Sequence, residues 1–234
     1  MNIFLKLFTI LIFIQGHNSF SQRSITEYFS KNWKPVKEKK AHFIRNIEFL
    51  NDTSSIISEY TRNKQLLMRG EFYALDTLVP NGVVEFYDEE SGNIKMLGSY
   101  HRGEMIGIWR LYKNDTLKMI NYDSPKIVKL CYEKEYVGYK IPDFRGMDPS
   151  ISFRKYIMEE LIYPPYEALH SIEDRIIIQF LINSSGEICD PIVMSSTNKN
   201  FIKEAMRVIS NSPNWSTLNE GCTRFTFPVW FKLN

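Results

Sequence analysis

The sequence predicts an α+β protein with an N-terminal all-β repeat sheet and a smaller C-terminal domain of three antiparallel strands packed on two helices. Residues 42–132 read as short apolar and polar alternations separated by turn residues, without a sustained helical period. A pattern within them recurs at roughly 25 to 28 residues, as in stacked hairpins. Helical periodicity appears only after residue 145, where helix-like and strand-like stretches alternate.

The composition is that of a folded protein. Hydrophobic residues make up 44% of the chain and aromatic residues 14%, which excludes a disordered chain. The 29 basic and 27 acidic residues are interspersed and leave a formal net charge of +2, so nucleic acid is not an expected partner. The basic run Lys34–Lys40 is interpreted as part of a solvated linker, residues 22–41, rather than as a patch for an anionic surface.

The first 21 residues have the layout of a signal peptide. Lys6 supplies the positive charge, residues 7–14 are mostly apolar, and Ser19-Phe20-Ser21 places small residues at the −3 and −1 positions of a cleavage site. The apolar stretch is shorter than the roughly 20 residues that span a bilayer. We therefore expect cleavage after Ser21 and a periplasmic protein, with membrane association only if this segment stays uncleaved.

The chain has three cysteines, Cys131, Cys189 and Cys222, and their spacing fits neither a metal site nor a redox motif. An odd number leaves at least one free thiol even if the other two pair. Each cysteine is interpreted as a small buried hydrophobe.

The repeat pattern places an aromatic residue, a turn, an apolar strand and then Gly-x-aromatic. The segment 60–72 is echoed by 87–100, and a third copy, 112–122, keeps the aromatic ends but has no glycine. Gly70 and Gly98 are expected to let a neighbouring strand approach closely.

One stretch of this part resembles a known repeat. Gly107-Ile-Trp109-Arg-Leu-Tyr112 is similar to the Gly-x-Trp-x-x-Tyr stretch of MORN-type repeats, which occur ahead of other domains in bacterial secreted proteins. MORN repeats have been linked to membranes and to protein partners. Here the aromatic stripe is interpreted as core.

A polar, turn-rich linker at 133–145 leads to the C-terminal domain, residues 146–234. Asp148 fits a helix N-cap with Pro149 at the first helical position, and Tyr163-Pro164-Pro165 ends that helix. Its apolar stripe consists of Phe153, Ile157 and Leu161.

A hairpin and a second helix follow. Residues 175–182 and 187–194 are strand-like and flank the turn 183–186. Asn200 is expected to cap the second helix, and Ser212-Pro213 to end it. The apolar face of this helix is predicted to hold Ile202, Ala205, Met206 and Ile209.

The last strand alternates strictly, with Phe225, Phe227, Val229, Phe231 and Leu233 on one face. Pro228 has no N–H for a β-ladder, so this strand is predicted to be an edge, with that position facing away from its paired neighbour. Trp215 is expected in the core. Trp230 lies on the opposite face from Phe227 and either covers a helix or forms an exposed contact.

The order helix, strand, strand, helix, strand resembles the C-terminal domain of the TonB family over residues 142–234. The matching motifs are Tyr163-Pro164, the turn 183–188, Ser195-Ser196, 204–208, 213–215 and 227–231. In that family the domain binds extended segments of outer-membrane receptors by strand addition to the last strand. The resemblance implies a protein partner of the envelope, energy-dependent transport and a binding site at Arg224, Phe225, Thr226, Phe227, Val229, Trp230, Phe231 and Lys232.

Catalytic patterns are missing from the sequence. It contains no nucleophile elbow, no HExxH and no phosphate-cradling glycine loop, so we expect neither an enzyme nor a bound cofactor or metal. His42, His101 and His170 are interpreted as surface or hydrogen-bonded side chains. Two hypotheses remain: a TonB-like binding module of transport, or an envelope interaction protein that uses the repeat surface and keeps the C-terminal domain as a scaffold.

Overall fold

The computed structural model describes residues 23–74, 79–113, 116–123, 131, 142–217 and 221–233. The signal peptide predicted for residues 1–21 and most of the linker predicted for 133–145 lie outside these residues. Within the described ranges, no helix combines the length and apolarity needed to cross a membrane.

An eight-stranded antiparallel sheet forms the N-terminal part, and its strands lie in the sheet in the order of the sequence. Each strand therefore pairs with the one that precedes it, as in a series of hairpins. The strands are β1 (Ser24–Phe29), β2 (Phe43–Phe49), β3 (Ser55–Thr61), β4 (Leu66–Ala74), β5 (Val79–Tyr87), β6 (Ile94–His101), β7 (Glu104–Lys113) and β8 (Thr116–Asn121).

The sheet begins earlier than the sequence predicts. Strand β1 lies in the segment interpreted as a polar linker and pairs with β2 in an unbroken register from Ser24↔Glu48 to Phe29↔Phe43. Only Phe29 of β1 is fully buried, so the strand has too little apolar alternation to be recognised from its sequence. Residues Glu38–Lys40 form a short 3₁₀ turn on the surface.

The repeats are hairpins, and their glycines have the predicted role. The three copies correspond to β3–β4, β5–β6 and β7–β8. A Cβ on Gly70 would lie 2.6 Å from Val84 Cγ2, and one on Gly98 would overlap the indole ring of Trp109. Glycine is required at both positions because the side chain of the next strand occupies that space.

One face of the sheet forms a hydrophobic core, as expected for the aromatic stripe. Its buried members are Ile47, Ile57, Met68, Phe72, Val84, Phe86, Met96, Tyr100, Met105, Trp109 and Ile120. Ile162, Tyr166 and Leu169 of the C-terminal domain pack against this cluster. The C-terminal domain thus covers part of the apolar face of the sheet.

The C-terminal domain has a three-stranded antiparallel sheet in the order β10-β9-β11, which confirms the predicted α+β class. Its elements are α1 (Pro149–Glu160), α2 (Pro165–Leu169), β9 (Asp174–Ile182), β10 (Ile188–Ser195), α3 (Lys199–Ser210) and β11 (Thr223–Phe231). Trp215 is 3% exposed in a core with Phe153 and Phe180, as predicted.

The helix ends differ in detail from the prediction. Asp148 caps α1, since its carboxylate accepts the N–H of Ser150 at 2.7 Å. Pro165 begins a short helix, α2, that the sequence analysis did not predict, because proline at a first helical position needs no N–H donor. The cap of α3 is Asn198 rather than Asn200, and its side chain accepts the N–H groups of Asn200 and Phe201.

Asn200 instead joins the two parts of the molecule. Its side chain accepts the N–H of Met105 at 2.8 Å and donates to the carbonyl of Gly103 at 2.9 Å. Glu204, fully buried on the same helix, accepts the hydroxyl of Tyr122 at 2.9 Å. Helix α3 is therefore fixed to strand β7 and to the end of β8 by buried polar contacts.

The cysteine interpretation holds for one residue and is wrong for two. Cys189 is buried and is not part of a disulfide, whereas Cys131 and Cys222 form a disulfide across 91 residues of sequence. The N–H of Cys131 also donates to the Asp190 carboxylate at 3.0 Å. Spacing could not reveal this pair, because residues so far apart meet only through the tertiary fold.

Candidate functional site: an open strand edge and the groove beside it

Strand β11 is an edge of the small sheet, as predicted. It pairs with β9 over nine consecutive positions, from Thr223↔Ile182 to Phe231↔Asp174, without a register shift. In the described part of the chain it pairs with no other named strand. The opposite edge, β10, contains two register shifts, which bend a strand and interrupt its outer row of backbone groups. Of the two edges, β11 is the better template for another strand.

Pro228 determines which backbone groups of β11 point outward. It lies opposite Ile177 in the unbroken register. Hydrogen-bonded and non-hydrogen-bonded pairs alternate along an antiparallel ladder, and a residue without an N–H fits the non-hydrogen-bonded position. The same alternation turns the N–H and C=O groups of Thr226 and Trp230 away from β9.

The predicted binding residues divide between two faces of the strand. Arg224, Thr226, Trp230 and Lys232 are exposed, whereas Phe227, Val229 and Phe231 are buried and Phe225 is half-buried. The side chains of Val229 and Phe231 belong to the core, and the alternation directs their backbone groups toward β9, so the contacts offered to a partner come from the residues between them.

Trp230 is exposed and, in the part of the chain that the structure describes, does not cover a helix. Its side chain is 55% exposed, and the guanidinium of Arg175 lies 4.8 Å from the centre of its ring. This cation–π contact holds the indole against the outer face of the sheet.

The rest of this outer face combines cations with apolar side chains. Arg224 donates to Gln179 Oε1 at 2.8 Å, and Gln179 Nε2 donates to Thr226 Oγ1 at 3.4 Å. Ile192 and Met194 of β10 are more than half exposed. Neither side chain is recognisable from the sequence as a surface feature, because the register shifts of β10 change which residues face solvent.

A groove of about 430 Å³ runs between β11 and the start of α1. Its lining consists of Asp143, Asp148, Pro149, Ser150, Arg154, Phe225, Thr226, Phe227 and Pro228. Hydrogen bonds from Ser150 hold the pKa of the Asp148 carboxyl below its ordinary value, so this residue is an anion at neutral pH. The cap signal of Asp148 predicted the helix start, but the tertiary position beside β11 has no local sequence signature.

The Tyr163-Pro164 motif lies on the core side of β11. The Tyr163 ring packs edge-on against Phe201 and Phe231, and its hydroxyl donates to the Ile172 carbonyl at 2.6 Å. Burial raises the pKa of this hydroxyl to about 12, so it remains a donor at neutral pH. Pro164 precedes the first residue of α2. The contact of Tyr163 with Phe231 helps to position the strand.

His170 lies in a buried ionic cluster at the junction of the two parts. Its Nε2 is 3.0 Å from Glu59 Oε1 and its Nδ1 is 2.8 Å from the Tyr166 carbonyl, while Arg45 pairs with Glu59 at 2.7 Å. Burial alone would raise the pKa of Glu59, but the charges and hydrogen bonds of His170 and Arg45 outweigh it and lower that pKa.

The remaining histidines and Ser196 are exposed or hydrogen-bonded. His42 and His101 are exposed, and the Ser196 hydroxyl donates to the Asp174 carboxylate at 2.6 Å. Among the residues that the structure describes, no group of three or more His, Cys, Asp or Glu could hold a metal ion.

Comparison with known proteins yields one family. Residues 159–233, from the last turn of α1 to the residue two past the end of β11, match the family model of the Gram-negative bacterial TonB protein C-terminal. The match supports a TonB-like protein-interaction role for this part of the chain. No curated protein and no solved structure matches the chain. The resemblance of the N-terminal sheet to MORN repeats stays a prediction.

Proposed function

We propose that this protein is a periplasmic, TonB-like binding protein that captures an extended segment of an outer-membrane receptor or another envelope protein by strand addition to β11, in energy-dependent transport. The observation that carries the proposal is the edge of β11, which pairs with β9 without a register shift and lies beside a groove. Backbone hydrogen bonds supply the affinity in this mode of recognition, and side-chain pockets supply the preference.

The disulfide supports the proposed location. Cys131 and Cys222 are joined, and structural disulfides persist in oxidising compartments such as the bacterial periplasm. This finding agrees with the signal peptide predicted from residues 1–21.

Proline at position 226 tests strand addition. The N–H of Thr226 points away from β9, so T226P removes a donor for the incoming strand and leaves the β9–β11 ladder intact. We expect receptor-derived peptides to lose binding to T226P in isothermal titration, with a urea midpoint close to that of the original chain. T226V keeps the N–H and is the matched control. Equal peptide affinity of T226P and T226V would contradict the proposal.

A second candidate function rests on the repeat sheet. Ile108, Leu117 and Met119 are more than half exposed on one face of β7 and β8, and β8 is the last strand of the sheet. Exposed apolar side chains grouped in this way mark a protein contact surface. An envelope interaction protein that uses this face would lose its partner in the variant M119E and keep it in T226P.

A further inference from the structure

Strand addition to β11 fixes where the side chains of the captured segment point. Neighbouring strands share the same pleat, so residues opposite each other across the pair project to the same face. Every second side chain of the segment would lie beside the outer face of β11, and the side chains between them would enter the groove beside α1.

The outer face of β11 is cationic at both ends. The five residues that share it are Arg224, Thr226, Pro228, Trp230 and Lys232, which include two cations and no carboxylate. Arg224 is oriented by its hydrogen bond to Gln179 Oε1. Among the described residues Lys232 forms no ion pair, and the nearby Glu173 carboxylate accepts the N–H of Leu233 at 2.8 Å. Arg175 adds a third cation over Trp230.

The groove side has the opposite character. Phe225, Phe227 and Pro149 contribute apolar lining, and the groove is also lined by the carboxylates of Asp143 and Asp148 and by Arg154. An anionic side chain entering the groove would meet these carboxylates. Apolar side chains such as valine match the apolar lining.

We propose that the captured segment carries acidic side chains at two outward-facing positions eight residues apart, beside Arg224 and Lys232, with apolar side chains between them facing the groove. This inference rests on the proposed strand addition. Because a cation stands at each end of the strand, the same spacing serves a segment that binds parallel or antiparallel to β11. Such exposed ion pairs select the partner and its register more than they add affinity.

Two peptides test the charge preference on the full chain. Both have nine residues, alternate threonine with inward valine, and are capped at their ends; one has aspartate at positions 1 and 9 and the other has lysine there. Each exposed ion pair or like-charge pair changes affinity by about twofold or more, so attraction at both ends against repulsion at both ends compounds to a preference of more than about tenfold for the aspartate peptide at low salt. Added salt should reduce this ratio.

The double variant R224E/K232E reverses the two charges on the protein instead of those on the peptide. Both side chains are exposed, so the variant should unfold at a urea concentration close to that of the original chain. The preference should reverse, with the lysine peptide bound more tightly, and T226P should abolish binding of both peptides. If the original chain binds the two peptides equally and T226P binds neither, the charge inference is wrong and strand addition still holds. Binding that T226P does not affect would overturn both.

Discussion

At the scale of single residues, the two tryptophans of the C-terminal domain have opposite environments. Trp215 is 3% exposed and packs against Phe153 at a ring separation of 4.8 Å, whereas Trp230 is 55% exposed and contacts Arg175. The sequence predicted the first environment and left the second open, because a strand residue outside the core face is covered or exposed only according to what packs there.

Truncation of these two tryptophans should therefore give different losses of stability. W215A should lower the free energy of unfolding by about 3–5 kcal/mol, the usual cost of removing a buried large aromatic side chain. W230A, as the exposed control, should lower it by less than about 1 kcal/mol. Urea melts of the full chain measure both. A loss below 1 kcal/mol for W215A would show that the core assignment is wrong.

At the scale of elements, the helices and strands with a strong local sequence pattern were predicted correctly. Those that depend on tertiary contacts were missed. The hairpin β9–β10, helix α1 with its Asp148 cap and the edge position of β11 follow from alternation, capping residues and one proline. Strand β1 and helix α2 were missed, because each is short and depends on packing against other elements rather than on a local pattern.

The candidate site shows the same limit. Its strand could be located from Pro228 and the alternating phenylalanines, so the backbone edge was predictable. The groove was not, because it depends on α1 beginning beside β11, about 75 residues away in sequence. The cap of α3 was placed two residues late, since Asn198 and Asn200 are both good cap residues and only the contact of Asn200 with β7 distinguishes them.

At the scale of the whole molecule, buried polar groups hold the C-terminal domain against the large sheet. Trp33 donates to the Leu169 carbonyl at 2.7 Å, and the cluster of Glu59, Arg45 and His170 spans the same junction. The division into 42–132 and 146–234 stays a prediction. Because of these contacts, a partner bound at β11 would be attached to a domain that is itself fixed to the large sheet.

This junction should make stability depend on pH through Glu59. Its lowered pKa means that Glu59 stays ionised in the folded chain where a free carboxyl, with a pKa of 4.5, takes up a proton. Its contribution is therefore complete above pH 4.5 and is lost as the pH falls through the lowered value. E59Q removes the buried carboxylate that pairs with Arg45 at 2.7 Å and leaves Arg45 only the more exposed Glu27 at 3.5 Å, so it should cost about 3 kcal/mol at pH 7.

The comparison of E59Q with the original chain isolates this effect. Burial raises the pKa of Glu167, which acts in the opposite direction, but Glu167 is present in both proteins. Urea melts from pH 7 to pH 3 should show a stability difference that shrinks as the pH falls. A difference that stays constant over this range would mean that Glu59 does not titrate as described.

Binding of an extended partner segment to β11 can be measured from the amide chemical shifts of the full chain. On addition of receptor-derived peptides, we expect shift changes concentrated in residues 223–233, with the N–H groups of Thr226 and Trp230 among those affected because they point away from β9. Shift changes confined to residues 42–132, or no changes at all, would contradict binding at β11.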